Sequence, residues 1–354
     1  MLRTNRLPSR LEIIILALTA LLVACASIAD GQEARSPKII SIGDLHGDYE
    51  GYLSILREAG LIDDRDRWAG GDTIFVQTGD VPDRGPDSLK IIEHLQKLQN
   101  RARRKGGDVI TLVGNHEALN IVGDLRYVHP GEYEAFQTRR SEALRDRVFE
   151  ANKDNIIAVY RERDPDLSDD DIEAAWKERT PLGRIEHQME WAPEGEIGSW
   201  VVDNPAVVIV NGTLFAHGGL SAKYAEYSID EINQLTREAL LARDVSLESI
   251  INDEFGPLWY RGLVPDFSAP ADDPDALSPE EELELVLATF GAERLVVGHT
   301  PSIAGISSSY DDRFIQIDTG ISSYYGGPRS FLRIEDGKVY AHDDGEVTEL
   351  GTSD

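Results

Sequence analysis

Six short motifs, each carrying glycine, hold the side chains of this sequence that could do chemistry. They are Gly43-Asp44-Leu45-His46-Gly47, Gly79-Asp80-Val81-Pro82-Asp83-Arg84-Gly85, Gly114-Asn115-His116-Glu117, His217-Gly218-Gly219, Trp259-Tyr260-Arg261-Gly262 and Gly298-His299-Thr300. Asp44 and His46 lie one residue apart, so in an extended segment both point to one side and can grip one ion. Asp80 adds a carboxylate whose two oxygens can bridge two cations, Asn115 adds a neutral carbonyl oxygen, and His217 and His299 add imidazole nitrogens. Nitrogen and oxygen donors without thiolate suit Mn, Fe, Zn or Co better than Ca or Mg.

Such a pair of ions, about 3.5–4 Å apart, clamps phosphoryl oxygens and holds a bridging hydroxide at neutral pH for in-line attack on a phosphate ester. The leaving oxygen then needs a proton. His116, directly after Asn115, is placed to supply it as general acid, and Asp83 can hydrogen-bond its ring and keep it charged and oriented. Arg84 and Arg261 can fork onto the nonbridging oxygens, which lysine could not do. A zinc-protease helix starting at His116-Glu117 is excluded, because its second histidine would fall on Asn120. Glu117 is instead expected to be a structural partner in its loop. The remaining histidines, His94, His129, His187 and His342, are expected on the surface or in a satisfied core.

Elements that could position these residues follow from periodicity. The β-branched run 38–42 is expected to be a buried strand emptying into the first motif. A helix from Tyr49 to Gly60 carries Leu53, Leu56 and Ala59 on one stripe. Strands at 73–77 and 108–113, separated by a helix over about 86–105, again end at motifs. Three strand-motif-helix units in series make an α/β fold whose acidic and histidine residues collect at one end of a sheet. From about 124 to 200 the chain turns charged and motif-free, an expected helical insertion with a capped start at Ser168. Strands resume at 206–216. Capped helices open at Ser228 and Ser278, a proline-bearing loop spans 264–277, and a strand at 295–297 delivers His299. Segments 314–317, 331–334 and 339–342 are expected to be antiparallel closing strands, with 346–354 a tail outside the 36–345 domain.

The bulk numbers exclude some partners. With 64 acidic and 35 basic residues in 354, the net charge is −29, which argues against nucleic acid as a ligand. Attraction for a phosphorylated substrate must come locally from cations and a few arginines. Residues 1–30 resemble an export signal: Arg3, Arg6 and Arg10 precede an apolar stretch from Ile13 to Ala24. The sole cysteine, Cys25, ends Leu22-Val23-Ala24-Cys25, which resembles a lipoprotein cleavage and acylation site. An ordinary signal-peptidase site or an uncleaved anchor are the alternatives. The protein is therefore expected to be exported, and periplasmic or membrane-attached through a Cys25 lipid or N-terminal anchor if bacterial. An intramolecular disulfide is excluded.

Taken in order over about residues 38–334, the motifs resemble those of the calcineurin-like metallophosphoesterase superfamily and, within it, the phosphoprotein phosphatases. The resemblance implies a two-sheet sandwich flanked by helices. It implies that Asp44, His46 and Asp80 hold one metal and Asp80, Asn115, His217 and His299 the other, with His116 as acid, Asp83 its partner, and Arg84 and Arg261 on the phosphate. Val81-Pro82 and Val113 depart from the eukaryotic enzymes, which carry Tyr-Val and arginine there. With Trp259-Tyr260-Arg261-Gly262, the sequence is most similar to the Shewanella-like branch. The spacing of Arg261 departs from the eukaryotic pattern. The expected activity is hydrolysis of phosphoserine, phosphothreonine or phosphotyrosine in proteins. Cleavage of a dinucleoside polyphosphate is the alternative within hydrolases, and a catalytically inactive binding module the alternative from another class.

Overall fold

The computed structural model describes residues 36–351 except 266 and 268–276. The export signal, Cys25 and most of the 264–277 loop lie outside the described residues.

The first half of the chain builds the expected repeating unit. Strand β1 (Ile39–Ile42) leads to helix α1 (Tyr49–Glu58), β2 (Ile74–Gln77) to α2 (Ser88–Arg103), and β3 (Asp108–Thr111) to α3 (Asn115–Val122). β1, β2 and β3 pair in parallel, Ile39 opposite Ile74 and Ile74 opposite Asp108. Helix α1 starts where the Asp48 carboxylate accepts the Gly51 amide, satisfying one of the free donors of a helix start.

The insertion follows as α4 (Pro130–Ala135), α5 (Ser141–Arg163), α6 (Asp169–Arg179), α7 (Arg184–Trp191) and α8 (Glu196–Val202). Ser168 caps α6 as expected, its hydroxyl accepting the Asp171 amide. The chain then forms β4 (Val207–Val210), β5 (Thr213–Ala216), α9 (Ile229–Ala242), α10 (Pro279–Phe290) and β6 (Arg294–Val297). Ser228 and Ser278 close reciprocal capping boxes with Glu231 and Glu281. Last come β7 (Ser307–Ser309), β8 (Phe314–Gln316), β9 (Ser330–Glu335), β10 (Lys338–Asp343) and β11 (Glu346–Leu350).

These strands form two sheets, ordered β11-β10-β9-β1-β2-β3 and β4-β5-β6-β8-β7. Alternate residues of each strand face alternate sides. Ile39, Val76, Leu332 and Ile334 from one sheet meet Val210, Phe215, Val296 and Ile315 from the other in an apolar layer between them. Their neighbours Ile40, Phe75, Val109, Leu214, Leu295 and Val297 join the helices in a larger core. Both faces are covered, so the strands read as continuous apolar runs. Burying each such side chain is worth roughly 1.5–3 kcal/mol.

Two expectations are corrected. Segment 314–317 does not close the sheet of β9 and β10; β8 pairs in parallel with β6 and antiparallel with β7 in the second sheet. Residues 346–350 are not a tail but the edge strand β11, paired along its length with β10. Its residues Glu346, Val347 and Thr348 are exposed, so it lacks the one-sided apolar pattern that marks a strand in sequence.

Candidate active site

The functional side chains sit just beyond the carboxyl ends of parallel strands: Asp44 and His46 after β1, Asp80, Asp83 and Arg84 after β2, Asn115 and His116 after β3, His217 after β5, and His299 after β6. All six expected metal ligands, with Asp83 and His116, are between 0 and 6% exposed. The turns that bring them there are tight. His46, Asp80, Asp83, Arg84 and His299 all have left-handed backbone, with φ of 44°, 56°, 74°, 62° and 67°. Each such residue costs on the order of 1–3 kcal/mol and persists because its surroundings over-determine it. Two glycines make room: a Cβ at Gly114 would lie 2.3 Å from Asp80 Oδ1, and one at Gly298 2.5 Å from Asp44 Oδ1.

Hydrogen bonds fix the ring orientations. His46 Nδ1 meets the Pro82 carbonyl at 3.0 Å and His217 Nδ1 the Thr78 carbonyl at 2.9 Å. A carbonyl only accepts, so both Nδ1 atoms carry the proton and both Nε2 atoms turn a lone pair or second site inward. His217 Nε2 lies 3.3 Å from Asp80 Oδ1 and 2.9 Å from Asn115 Oδ1; His46 Nε2 lies 3.9 Å from Asp80 Oδ2 and 3.8 Å from Asp44 Oδ2. Glu117 is the expected structural partner: its buried carboxylate accepts the amides of Asp80, Val81 and Gly114, tying the second motif to the third.

His116 Nδ1 is 2.6 Å from Asp83 Oδ2, and Asp83 Oδ1 accepts Asn120 Nδ2 at 3.0 Å. Burial pulls the His116 pKa down, but the Asp80 charge and the Asp83 bond prevail and raise it above the ordinary histidine value. Arg261 is half-buried, its Nε 3.1 Å from Thr300 Oγ1. A cavity of about 270 Å³ is lined by Asp44, His46, Asp80, Asn115, His116 and His299 below, with Arg84 and Arg261 beside Tyr127, Trp259, Pro301 and Tyr325.

The sequence profile of the calcineurin-like phosphoesterases matches residues 37–302. The chain belongs to this family. It is 33% identical over 297 residues to Shewanella-like protein phosphatase 2 of Arabidopsis thaliana, across 81% of this chain and 72% of that protein. Identity to Shewanella-like protein phosphatase 1 of Plasmodium berghei is 33% over 315 residues, across 86% of this chain and 73% of the relative. Among solved structures, the cold-active protein-tyrosine phosphatase of a psychrophilic Shewanella superposes with a TM-score of 0.64 at 25% identity, covering 89% of this chain and 80% of that one.

Calcineurin-like phosphoesterases are dinuclear metal enzymes, and the donors present here fit two cations. Asp80 belongs to two compact groups, one with His46 and His116, the other with His217 and His299. His299 Nε2 is buried with no hydrogen-bond partner, an orphan that a cation would satisfy. Burial, then the neighbouring Asp318 and Asp80 charges, pushes Asp44 well above the usual carboxylate range. A crowd of buried carboxylates of this kind calls for positive charge. His116 joins the first of these groups, and Asp44 Oδ2 also lies 3.8 Å from His46 Nε2; unlike the other two members, His116 is bonded to Asp83.

Three features escaped the sequence. Asp318, beyond β8 and 1% exposed, packs its carboxyl against Asp44 and is raised to about 6, mainly by burial. Tyr127 and the pair Tyr324-Tyr325 gather around Arg84. The only sequence signal was position, since Asp318 and Tyr325 follow a strand end as the motifs do. His187 is neither on the surface nor satisfied: it is fully buried among Tyr133, Phe136 and Trp191, and both ring nitrogens lack a partner. By contrast His94 is satisfied by Tyr52 Oη and the Asp66 carbonyl.

Proposed function

We propose that this phosphoesterase is a metal-dependent protein phosphatase in which His116 protonates the leaving oxygen and Arg84 and Arg261 hold the phosphoryl group. The observation that carries the reading is the His116–Asp83 pair, buried beside two carboxylate–imidazole groups at the floor of a cavity walled by two arginines. Asp44, His46, Asp80, Asn115, His217 and His299 would hold two ions of the Mn, Fe or Zn type. Bound there, the ions supply Lewis acidity to the phosphoryl oxygens and the attacking water. Asp83 orients the His116 ring, so that Nε2 faces the cavity and carries the proton that the alkoxide or phenoxide takes up.

The relatives named protein phosphatases, at 33% identity, support phosphoproteins over dinucleoside polyphosphates. The aromatic lining of Tyr127, Trp259 and Tyr325, together with the tyrosine phosphatase among its structural neighbours, supports phosphotyrosine as the preferred ester. A panel of phosphotyrosine, phosphoserine and phosphothreonine peptides and diadenosine tetraphosphate, run with each metal, tests this. Phosphate release should be fastest from phosphotyrosine peptides. Faster cleavage of diadenosine tetraphosphate than of every peptide would reverse the assignment. We also propose export with a lipid on Cys25, supported by the apolar stretch before it. Palmitate label that survives Cys25→Ser in a bacterial host would exclude the lipid.

A further inference from the structure

Arg84 is held in an unusual way for a cation in so acidic a protein. Its guanidinium carbon lies 4.8 Å from the ring centre of Tyr127, 4.8 Å from Tyr324 and 5.3 Å from Tyr325. Among the described residues no carboxylate pairs with it, and its buried Nε has no hydrogen-bond partner. Yet Asp44, Asp80 and Asp83 lie close by, on the cavity floor and in its own loop. An arginine free to move would fold onto such carboxylates, and its N–H groups would then be spent before substrate arrived.

We propose that Tyr127, Tyr324 and Tyr325 are positioning residues: a cage of ring faces that holds the Arg84 guanidinium off the acidic floor and leaves its donors free for the substrate phosphate. The inference rests on the reading of Arg84 as a phosphate binder. Ring faces attract a guanidinium through their quadrupole without accepting its hydrogen bonds, which is what this task requires.

The cage is built from two segments far apart in sequence. Tyr127 opens the helical insertion, and its carbonyl accepts the Arg84 amide at 3.0 Å. Tyr324 and Tyr325 sit on the loop after β8, edge to face with ring centres 5.0 Å apart. That loop is moored by the Ser323 amide on Asp48 Oδ2 at 3.0 Å and by the Gly327 amide on the Gly320 carbonyl at 2.9 Å. Tyr127 also packs 5.0 Å from the His116 ring and Tyr325 5.7 Å from the His46 ring. The insertion therefore reaches the chemistry through Tyr127, and the loop after β8 through Tyr324 and Tyr325 in addition to Asp318.

The test is calorimetric titration of inorganic phosphate into the metal-loaded full chain, paired with steady-state kinetics on an aryl phosphate. Tyr324 is 61% exposed, so its replacement leaves the core intact. Tyr324→Leu should weaken phosphate binding and raise KM by roughly three- to tenfold, with kcat within about twofold, and Tyr127→Leu, which also touches the His116 ring, should weaken phosphate binding by a similar factor. Tyr324→Phe should restore both values, because the ring face and not the hydroxyl does the holding. In an Arg84→Ala background, Tyr324→Leu should have no further effect. Failure of phenylalanine to rescue, or an equal loss with and without Arg84, would overturn the cage. If Arg84→Ala weakens phosphate binding while the leucine variants do not, the cage alone falls. If Arg84→Ala itself leaves phosphate binding unchanged, the phosphate-binding role of Arg84 falls and the cage with it.

Discussion

The strand-end centre and the helical insertion obey opposite rules. In the centre the ligand-type polar side chains are buried, and Asp83, for one, is held by both His116 and Asn120. In the insertion α5 runs for 23 residues yet buries only Ser141 and Phe149, and α6 buries only Ile172. Its surface is laced with exposed ion pairs such as Arg161–Asp169, each worth about 0–1 kcal/mol. It is anchored instead by a small aromatic group in which a histidine stands without partners. A change in the centre should therefore be read in turnover, and a change in the insertion beyond Tyr127 in stability.

The sharpest way to break that contrast is Asp80→Asn. Loss of the carboxylate shared by both donor groups should strip bound metal, seen by elemental analysis, and reduce turnover by more than about 10⁴-fold. Two retained metal equivalents would show that the centre does not depend on this residue. Next in size, His116→Asn should keep its metal and lose about 10²–10⁴-fold with an alkyl phosphate, but distinctly less with an activated aryl phosphate whose leaving group needs no proton. Equal losses on both substrates would remove His116 from the role of acid.

The smallest effect belongs to the insertion. Burial, then the nearby Arg184 charge, lowers the His187 pKa to about 3, below the 6.5 of an unfolded histidine. The unfolded chain therefore takes up a proton that the folded one refuses. The resulting stability is fully present above pH 6.5 and is lost as pH falls toward 3, by up to about 2 kcal/mol between pH 6.5 and 5. Urea titrations at several pH values should show this slope, and His187→Phe should flatten it while leaving aryl phosphate turnover near that of the parent. An unchanged slope would mean that His187 is solvated in the native state.

Legibility in the sequence follows the same division. The three strand-motif-helix units could be read because β-branched runs, glycines and capping residues are local signals, and Ser168, Ser228 and Ser278 cap where expected. The motif residues other than Arg261 converge because each sits a few positions past a strand end. What could not be read depends on long-range packing. β7 consists of three serines, and β11 leaves its first three residues, Val347 among them, exposed, so neither shows the one-sided apolar face by which strands are recognised. Asp318 resembles any acidic loop residue until β8 is placed beside β6, and the tyrosines around Arg84 come from segments nearly 200 positions apart. His187 lies on a helix with ordinary composition, and nothing local marks it as buried without partners.

The orphaned Nε2 of His299 and the crowded carboxylates near it also bear on how long the folded chain survives. Ions that bind only the native state add stability by mass action, about 2.7 kcal/mol for one site at a hundred times its dissociation constant. A folded chain starved of metal must hold Asp44, Asp80 and Asp318 together with only the neighbouring histidines and Arg261 to offset them. Metal supply should then set the folded fraction of the protein as well as its rate.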